Sequence, residues 1–495
     1  MSGSGTARRE PMSKVDTAWL RMEKPTSLMM ITGVLMFEQH LDIAQLRELV
    51  AERFLAFERF RQKAVDLGGA CYWEHDPDFD LEWHVRLTAL PGEAGKPELQ
   101  RLVSQLASTA LDHSKPLWQL HLVENHNGGS ALIARVHHCY ADGIALIQVL
   151  LSLTDVSAQP RARDALPEAW LKQDGQRITQ RFVYPGKRQV DRAVKLGGKM
   201  LAGNMALYRD PTLAAVLARE GGEVARELGA ALALSDDPPT ALKAKLGVRK
   251  RCAWADPVDL AEVKAVGRAL DCTVNDVLLA CAAGALRHYL IERGECVDGL
   301  TIRATVPVNL RPLEHAKKLG NHFGLVFLEL PVGEPNPVAR VRRVAQDMNR
   351  IKSSRQAIMT FGALAALGMT PTPVQRMALD MFSRKASTVA TNVPGPQVPL
   401  YLAGARISEF MFWVPQTGSI GLGLSILSYN GRVHFGLIAD AKSVPDPDIV
   451  TARFGKEFET LLYAVLMEDW EAPIEPADVQ DTLRRLGEIP VGSQD

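Results

Sequence analysis

The spacing of apolar and polar residues changes period several times along the chain, and each change marks an element. Ala131-Leu-Ile-Ala-Arg-Val136 is apolar and β-branched at alternate sites, which predicts a strand. The run from Ile144 to Leu153 has the length and unbroken apolar character of a buried helix. Earlier in the chain, Ser13 to Leu20 predicts a short helical turn, with Ser13 and Asp16 as candidate caps. Met29 to Phe37 and Leu117 to Val123 predict strands. A turn at Asn125 to Gly129 would join the second of these to the 131–136 strand as a hairpin. Helical spacing runs from Ile43 to Lys63 and again from Pro97 to Leu111.

Between about 157 and 250 the pattern dissolves. Residues 157–192 are polar and rich in Pro, Arg and Gln, which reads as a crossover linker. Residues 193–234 are rich in Ala, Leu, Gly and Met and read as helices joining two lobes, and Ser235-Asp-Asp-Pro-Pro239 closes the region. A second alternation of elements starts near Cys252. Helices are predicted from Asp259 to Leu270, from 277 to 293 behind a Thr273–Asp276 cap, from Val338 to Ile351 and from Asp446 to Leu466. Strands are predicted at Thr301 to Val308, Gly324 to Leu330, Ala386 to Val393, Gly421 to Leu427 and Val433 to Ile438. The last two flank Tyr429-Asn-Gly-Arg432, and Asn-Gly is a strong hairpin signal. Both halves mix helices and strands. The expected division is a tail at 1–12, a first lobe at 13–156, a linker at 157–250, a second lobe at 251–470 and a tail at 471–495.

Length agrees with two domains, since 495 residues exceed what one core normally holds. Lys+Arg and Asp+Glu both number 57, so the net charge is zero, which argues against a nucleic-acid protein. Six scattered cysteines, without a C-x-x-C pair, suit free thiols in a reducing compartment. The start lacks the apolar stretch of a signal peptide, and no run approaches the ~18–20 apolar residues of a spanning helix. The expected location is cytoplasmic, with peripheral contact to a membrane or lipid inclusion as an option.

The candidate chemistry lies at the junction between the 131–136 strand and the 144–153 helix, in His137-His138-Cys139-Tyr140-Ala141-Asp142-Gly143. Such a corner lifts polar side chains off a sheet end. His138 near its natural pKa suits a general base that takes a proton from a hydroxyl. Asp142 would hold the corner by a salt bridge or by capping the helix, with Arg303 and Arg311 as candidate partners. Gly143 is available for a backbone conformation that side chains disfavour. No third ligand accompanies His and Asp, so no metal site is expected. No Gly-x-Ser-x-Gly elbow is present, so a serine nucleophile is not indicated. Asn275 and Asp276 precede an apolar run as a helix cap would. Pro116-Leu-Trp118 opens a strand that would buttress the histidine hairpin. Thr391 and Asn392 end a strand at a Pro-Gly-Pro turn.

His-His-x-x-x-Asp-Gly is also a family signature. Together with Ser13-x-x-Asp16, Pro116-Leu-Trp118, Asn275-Asp276, Pro307-Val-Asn-Leu-Arg311, Gly320-Asn321 and Asn392-Val-Pro-Gly-Pro396, the sequence resembles the bacterial bifunctional wax ester synthase/acyl-CoA:diacylglycerol acyltransferases. These belong to the CoA-dependent acyltransferase superfamily. The resemblance runs from about residue 12 to 470. It implies a mixed α/β, two-lobed fold like that of chloramphenicol acetyltransferase, with a tunnel between the lobes. It implies His138 as the base, His137 as a neighbour with a lesser role, and direct acyl transfer without an acyl-enzyme. Acyl-CoA would be a co-substrate rather than a bound cofactor. Fatty alcohol would be the acceptor, with diacylglycerol as a second candidate. Asn275 and Asp276 would lie near the tunnel, and Thr391 or Asn392 would face His138 as an oxyanion donor. Condensation domains and small-alcohol acyltransferases share the fold and remain rivals, as does a non-catalytic lipid- or CoA-binding member. The basic stretch Arg181–Lys199 (Lys187, Arg188, Arg192, Lys195, Lys199) reads as a solvated linker or as a membrane contact.

Overall fold

A computed structural model describes residues 9–159, 234–310, 321, 323–354, 357, 360, 372–416, 418–468 and 474–485. In chain order, the first half carries β1 (Arg9–Pro11), α1 (Lys14–Met22), β2 (Met30–Phe37), α2 (Ile43–Leu49), β3 (Gln62–Asp66), β4 (Cys71–His75), α3 (Leu81–His84), β5 (Val85–Thr88), α4 (Lys96–Ala107), β6 (Trp118–His126), β7 (Gly129–His137) and α5 (Gly143–Leu153). The second half carries β8 (Lys250–Trp254), β9 (Val258–Asp259), α6 (Leu260–Ala269), α7 (Val274–Glu292), β10 (Ile302–Asn309), β11 (Phe323–Leu330), α8 (Pro337–Ser353) and α9 (Thr372–Ser383). It continues with β12 (Thr388–Pro394), β13 (Tyr401–Leu402), β14 (Ala405–Trp413), β15 (Leu422–Tyr429), β16 (Arg432–Asp440), α10 (Pro447–Leu466) and α11 (Gln480–Arg485).

Two large sheets organise these elements. One runs in the order β13-β14-β2-β7-β6-β5, and the other β11-β10-β12-β15-β16-β8, with β9 also pairing β16. The first is antiparallel except at β5–β6. In the second, β10–β12–β15 is parallel. Its hairpin β15–β16 turns at Asn430 and Gly431, with φ of 47° and 77°. Two left-handed residues in a row are what a tight hairpin turn of this hand needs. Helix α7 is buried at every position from Asp276 to Leu286, as an apolar run without a polar face should be. It packs between α8 and α10 on the second sheet.

The most consequential difference from the expected division is β14. It lies late in the chain, yet it pairs with β2 in the first sheet, Trp413 opposite Thr32. The first lobe is therefore completed by the second half. Lys250 adds a second tie: its Nζ lies 2.7 Å from Asp440 Oδ2 and donates to the Thr26 carbonyl at 2.9 Å. Both side chains of that pair are buried.

Other boundaries need correction. The tail at 1–12 is not a tail from residue 9: β1 pairs with β4, and Met12 is buried. The tail at 471–495 contains α11, with Ile474, Val479 and Leu483 buried. The helix from Ile43 to Lys63 stops early. After α2 comes a π-turn at Val50–Phe54, a 3-10 turn at Glu58–Arg61, and then β3. The reason is aromatic packing. Phe54 and Phe60 stack at 4.0 Å, and Phe54 meets Trp118 at 4.7 Å. Six residues of straight helix would separate the two phenylalanines by roughly 9 Å along its axis, so the chain must fold back. Strands β1, β3, β4, β5, β8, β9, β13 and β14 were not expected. Within the 157–250 linker, residues 160–233 lie outside the described residues, as does the basic stretch Arg181–Lys199. The segment after it is anchored: Asp237 accepts from the Arg303 amide and the Ser387 hydroxyl.

Candidate functional site

The hairpin β6–β7 delivers the histidines. Asn127 and Gly128, with φ of 49° and 78°, make its turn. Pro116-Leu-Trp118 runs beside the far end: Trp118 pairs with Val136, and the His137 amide donates to the Leu117 carbonyl at 2.9 Å. Trp118 is fully buried, and its Nε1 donates to the Phe60 carbonyl at 2.8 Å. The segment thus fixes the strand that ends at His137.

Strand β7 stops at His137, so the alternation that would send His137 and His138 to opposite faces ends there too. Both rings meet the α1 segment. His138 stacks on Trp19, with ring centroids 4.2 Å apart and planes at 16°, and lies 5.6 Å from Phe323. His137 Nε2 lies 2.7 Å from Glu23 Oε2, at the C-terminal cap of α1. The other oxygen of Glu23 faces His113 Nε2 at 3.2 Å. Beyond the turn, Asp142 caps α5, and its Oδ1 accepts from the Ala145 amide at 2.9 Å. Gly143 is the first residue of that helix rather than a residue of unusual conformation. Arg303 is not beside Asp142: it is engaged by Asp237, Ser235 and the Lys385 carbonyl. Arg311 lies outside the described residues.

The backbone around His138 is held on each side. Its amide donates to the Met29 carbonyl at 2.7 Å. Its carbonyl accepts from Asn321 Nδ2 at 2.8 Å, and the same Nδ2 donates to Asp16 Oδ1 at 2.8 Å. Asp16 sits in the first turn of α1, which Ser13 caps through Oγ. Residues from opposite halves of the chain therefore close on the histidine corner.

Burial dominates the electrostatics. It pushes the His138 imidazolium down to about 4, and the nearby Asp142 carboxylate pulls the other way without prevailing. Burial also lowers His137. Asp16 is raised to about 6 by burial, which outweighs the bonds from Asn321 and Ser13. Glu23 runs opposite: burial would raise it, but the two histidines hold it at about 2. The expectation of a His138 near its natural pKa is therefore not met: burial keeps the imidazole neutral at neutral pH but makes it a weaker base than a free histidine. Its Nδ1 has no hydrogen-bond partner among the described residues.

The remaining candidates lie on the second lobe. Thr273, not Asn275 or Asp276, is the cap residue of α7. Asp276 completes a capping box with it, accepting from the Thr273 amide and hydroxyl. Asn275 instead accepts from Asn392 Nδ2 at 2.8 Å, tying the start of α7 to β12. Thr391 Oγ1 is buried without a partner among the described residues. So is Ser425 Oγ, on the residue that pairs with Thr391 across β12–β15. No cluster of three or more metal-ligating side chains occurs among the described residues.

Trp19, Glu23, Phe323 and Ser425 were not singled out in the sequence. One signal existed for the first two: they are four apart, so a helix read as far as Glu23 places them on one face. Asn321 stood in a motif block without a role.

Comparison with known proteins gives a consistent result. Residues 12–278 match the model of the wax ester synthase/diacylglycerol acyltransferase catalytic domain, and residues 319–462 match the WS/DGAT C-terminal domain. A probable diacylglycerol O-acyltransferase of Mycobacterium tuberculosis is 31% identical over 471 residues, covering 91% of this chain and 98% of its own length. Among solved structures, the wax ester synthase/diacylglycerol acyltransferase from Marinobacter aquaeolei VT8 superposes with a TM-score of 0.64 at 22% identity, covering 92% of this chain and 100% of its own. The starter condensation domain of rhizomide synthetase in complex with C8-CoA superposes with a TM-score of 0.53 at 15% identity, covering 94% and 96%. The two-lobed fold is the one these structures share.

Proposed function

The chain belongs to the wax ester synthase/diacylglycerol acyltransferase family and is an acyltransferase, and from that premise we propose that it moves a fatty acyl group from acyl-CoA to a long-chain alcohol, with diacylglycerol as a second acceptor. His138 is the general base. The observation that carries this is the corner itself: a buried neutral imidazole, stacked on Trp19, with its backbone held on each side.

His138 takes the proton of the acceptor hydroxyl as its oxygen attacks the thioester carbonyl. A tetrahedral oxyanion forms, and the carbon–sulfur bond then breaks. The imidazolium returns its proton to the departing thiolate, giving ester and free CoA. No acyl-enzyme is formed. Asp142 holds the corner by capping α5, and His137 supports the turn. Thr391 is the better candidate than Asn392 for the oxyanion, because the Asn392 amide is already engaged with Asn275 while the Thr391 hydroxyl is buried without a partner among the described residues. A CoA thioester as donor is supported by the shared fold of a condensation domain solved with C8-CoA. A cytoplasmic enzyme touching membrane or lipid inclusions at its periphery fits the lipid acceptors. Co-sedimentation with diacylglycerol-containing vesicles tests the peripheral contact.

The direct test is thiol release from palmitoyl-CoA, with and without hexadecanol or diacylglycerol. The expected result is acceptor-dependent release that drops by roughly 10²–10⁴-fold in His138→Ala. Persistence in the variant would overturn the base assignment. Absence of release with every long-chain acceptor would favour a small-acceptor or non-catalytic relative.

A further inference from the structure

The peptide unit between His138 and Cys139 sets the backbone angle that aims the His138 side chain. Both of its polar ends are taken. The His138 carbonyl accepts from Asn321 Nδ2 at 2.8 Å, and the Cys139 amide donates to His137 Nδ1 at 3.1 Å. The second bond constrains His137 itself. A ring nitrogen that accepts from an N–H carries no proton. The proton of a neutral His137 therefore sits on Nε2, which lies 2.7 Å from Glu23 Oε2, outside the geometry of a hydrogen bond, so the carboxylate acts on that proton through its charge. The ring is about 1% exposed, so water cannot easily replace that carboxylate. With the proton moved to Nδ1, two N–H groups would face each other and the turn would lose its grip.

We propose that Glu23 is a positioning residue for acyl transfer: its carboxylate selects the Nε2–H form of His137, so that Nδ1 can hold the Cys139 amide and fix the turn presenting His138. The inference rests on the reading of His138 as the base. The charges that face this chain are few. Glu23 also meets His113, from the segment before β6, and Asp112 stands next to that histidine. Burial lowers His137 and raises the neighbouring Cys139 thiol well above its ordinary range, so both stay neutral. The depressed Glu23 carboxyl keeps its charge throughout the working range.

The test combines kinetics with the nitrogen-15 spectrum of the full-length protein labelled at histidine. In the wild type, His137 should show an unprotonated Nδ1 and a protonated Nε2 from pH 6 to 8. Glu23→Ala should mix the two forms and lower kcat by roughly 10- to 10²-fold, the scale for a misplaced catalytic group, with the KM for both substrates nearly unchanged. Glu23→Gln keeps the shape but loses the charge and should restore the rate only in part, whereas Glu23→Asp, which keeps the charge, should restore more of it. A wild-type spectrum with the proton on Nδ1 would overturn the proposal even if the alanine variant fails to fold. So would a Glu23→Ala enzyme with wild-type kcat, or one that loses kcat while its His137 signals stay unchanged. A wild type without acceptor-dependent thiol release would instead refute the acyltransfer reading and leave the spectrum to judge Glu23.

Discussion

Asn321→Ala removes one carboxamide that serves two purposes. Its Nδ2 donates to the Asp16 carboxyl and to the His138 carbonyl, each at 2.8 Å. The first of these bonds goes to a charged acceptor when Asp16 is ionised. Such a bond is worth about 1.5–3 kcal/mol, and a neutral one about 0.5–1.5. The loss at pH 8 is therefore about 2–4 kcal/mol. The Asn321 backbone amide still reaches Asp16 at 3.2 Å, which keeps the loss from running higher. At pH 5 the sum changes. Asp16 titrates at about 6 in the fold and at 3.8 when solvated, so the folded state binds the extra proton between those values. Stability from this group is full below the lower value and is lost as pH rises through the upper one. At pH 5 Asp16 is mostly protonated, both lost bonds are neutral, and the cost falls to about 1–3 kcal/mol. Urea unfolding of wild type and variant at pH 5 and pH 8 measures the difference. Loosening the His138 carbonyl should also lower kcat, by about 10-fold. An equal loss of stability at both pH values would refute the assignment of Asp16 as the charged partner. A kcat unchanged within twofold would refute the claim that this bond aims His138.

Three further outcomes follow from the same geometry. The low-pH limb of kcat/KM should lie near 4, because burial holds His138 there, with the rate level above about pH 5; a limb near 6 that vanishes in Asp16→Asn would report Asp16, and one at 6.5 that survives it would mean a solvated base. Lys250→Met leaves the buried Asp440 without its cation and should cost about 3–5 kcal/mol in urea unfolding, while adding Asp440→Leu should recover part of it; additive losses would refute the pair. Gly129→Ala places a Cβ 2.2 Å from the Phe37 carbonyl oxygen at the edge of the β2–β7 pairing, so it should lower stability by about 1–3 kcal/mol in a thermal melt, and an unchanged melt would show that β2 yields there.

Local periodicity carried the fold wherever an element was decided by its own residues. The hairpins at Asn127-Gly128 and Asn430-Gly431, the apolar run of α5, the buried run of α7, and most strands of the second sheet all announced themselves within a window of ten residues or so. The failures share one cause. Strand β14, Ala405–Trp413, is defined by its pairing with β2, some 370 residues away, and nothing in its own pattern says which sheet it joins. The end of α2 is defined by where Phe54 and Phe60 find Trp118. Strands β3 and β4 carry exposed and half-buried residues that blur the alternation. In each case tertiary contact overrode a local signal.

The site divides the same way. The motif 137–143 is contiguous, so its base and its capping aspartate were visible as residue types at a corner. What aims the base is not contiguous. Helix α1 contributes Asp16, Trp19 and Glu23 from more than a hundred residues upstream, and Asn321 arrives from the other half of the chain. Each is an ordinary residue where it stands: Asp16 in a helix start, Trp19 on an apolar face, Glu23 at a helix end. Their purpose appears only when α1 lies along the end of β7. The histidine pair alone is compatible with a structural turn. Burial keeps His138 neutral at working pH, at the expense of some of its basicity. A peptide unit fixed at both ends gives that base a direction.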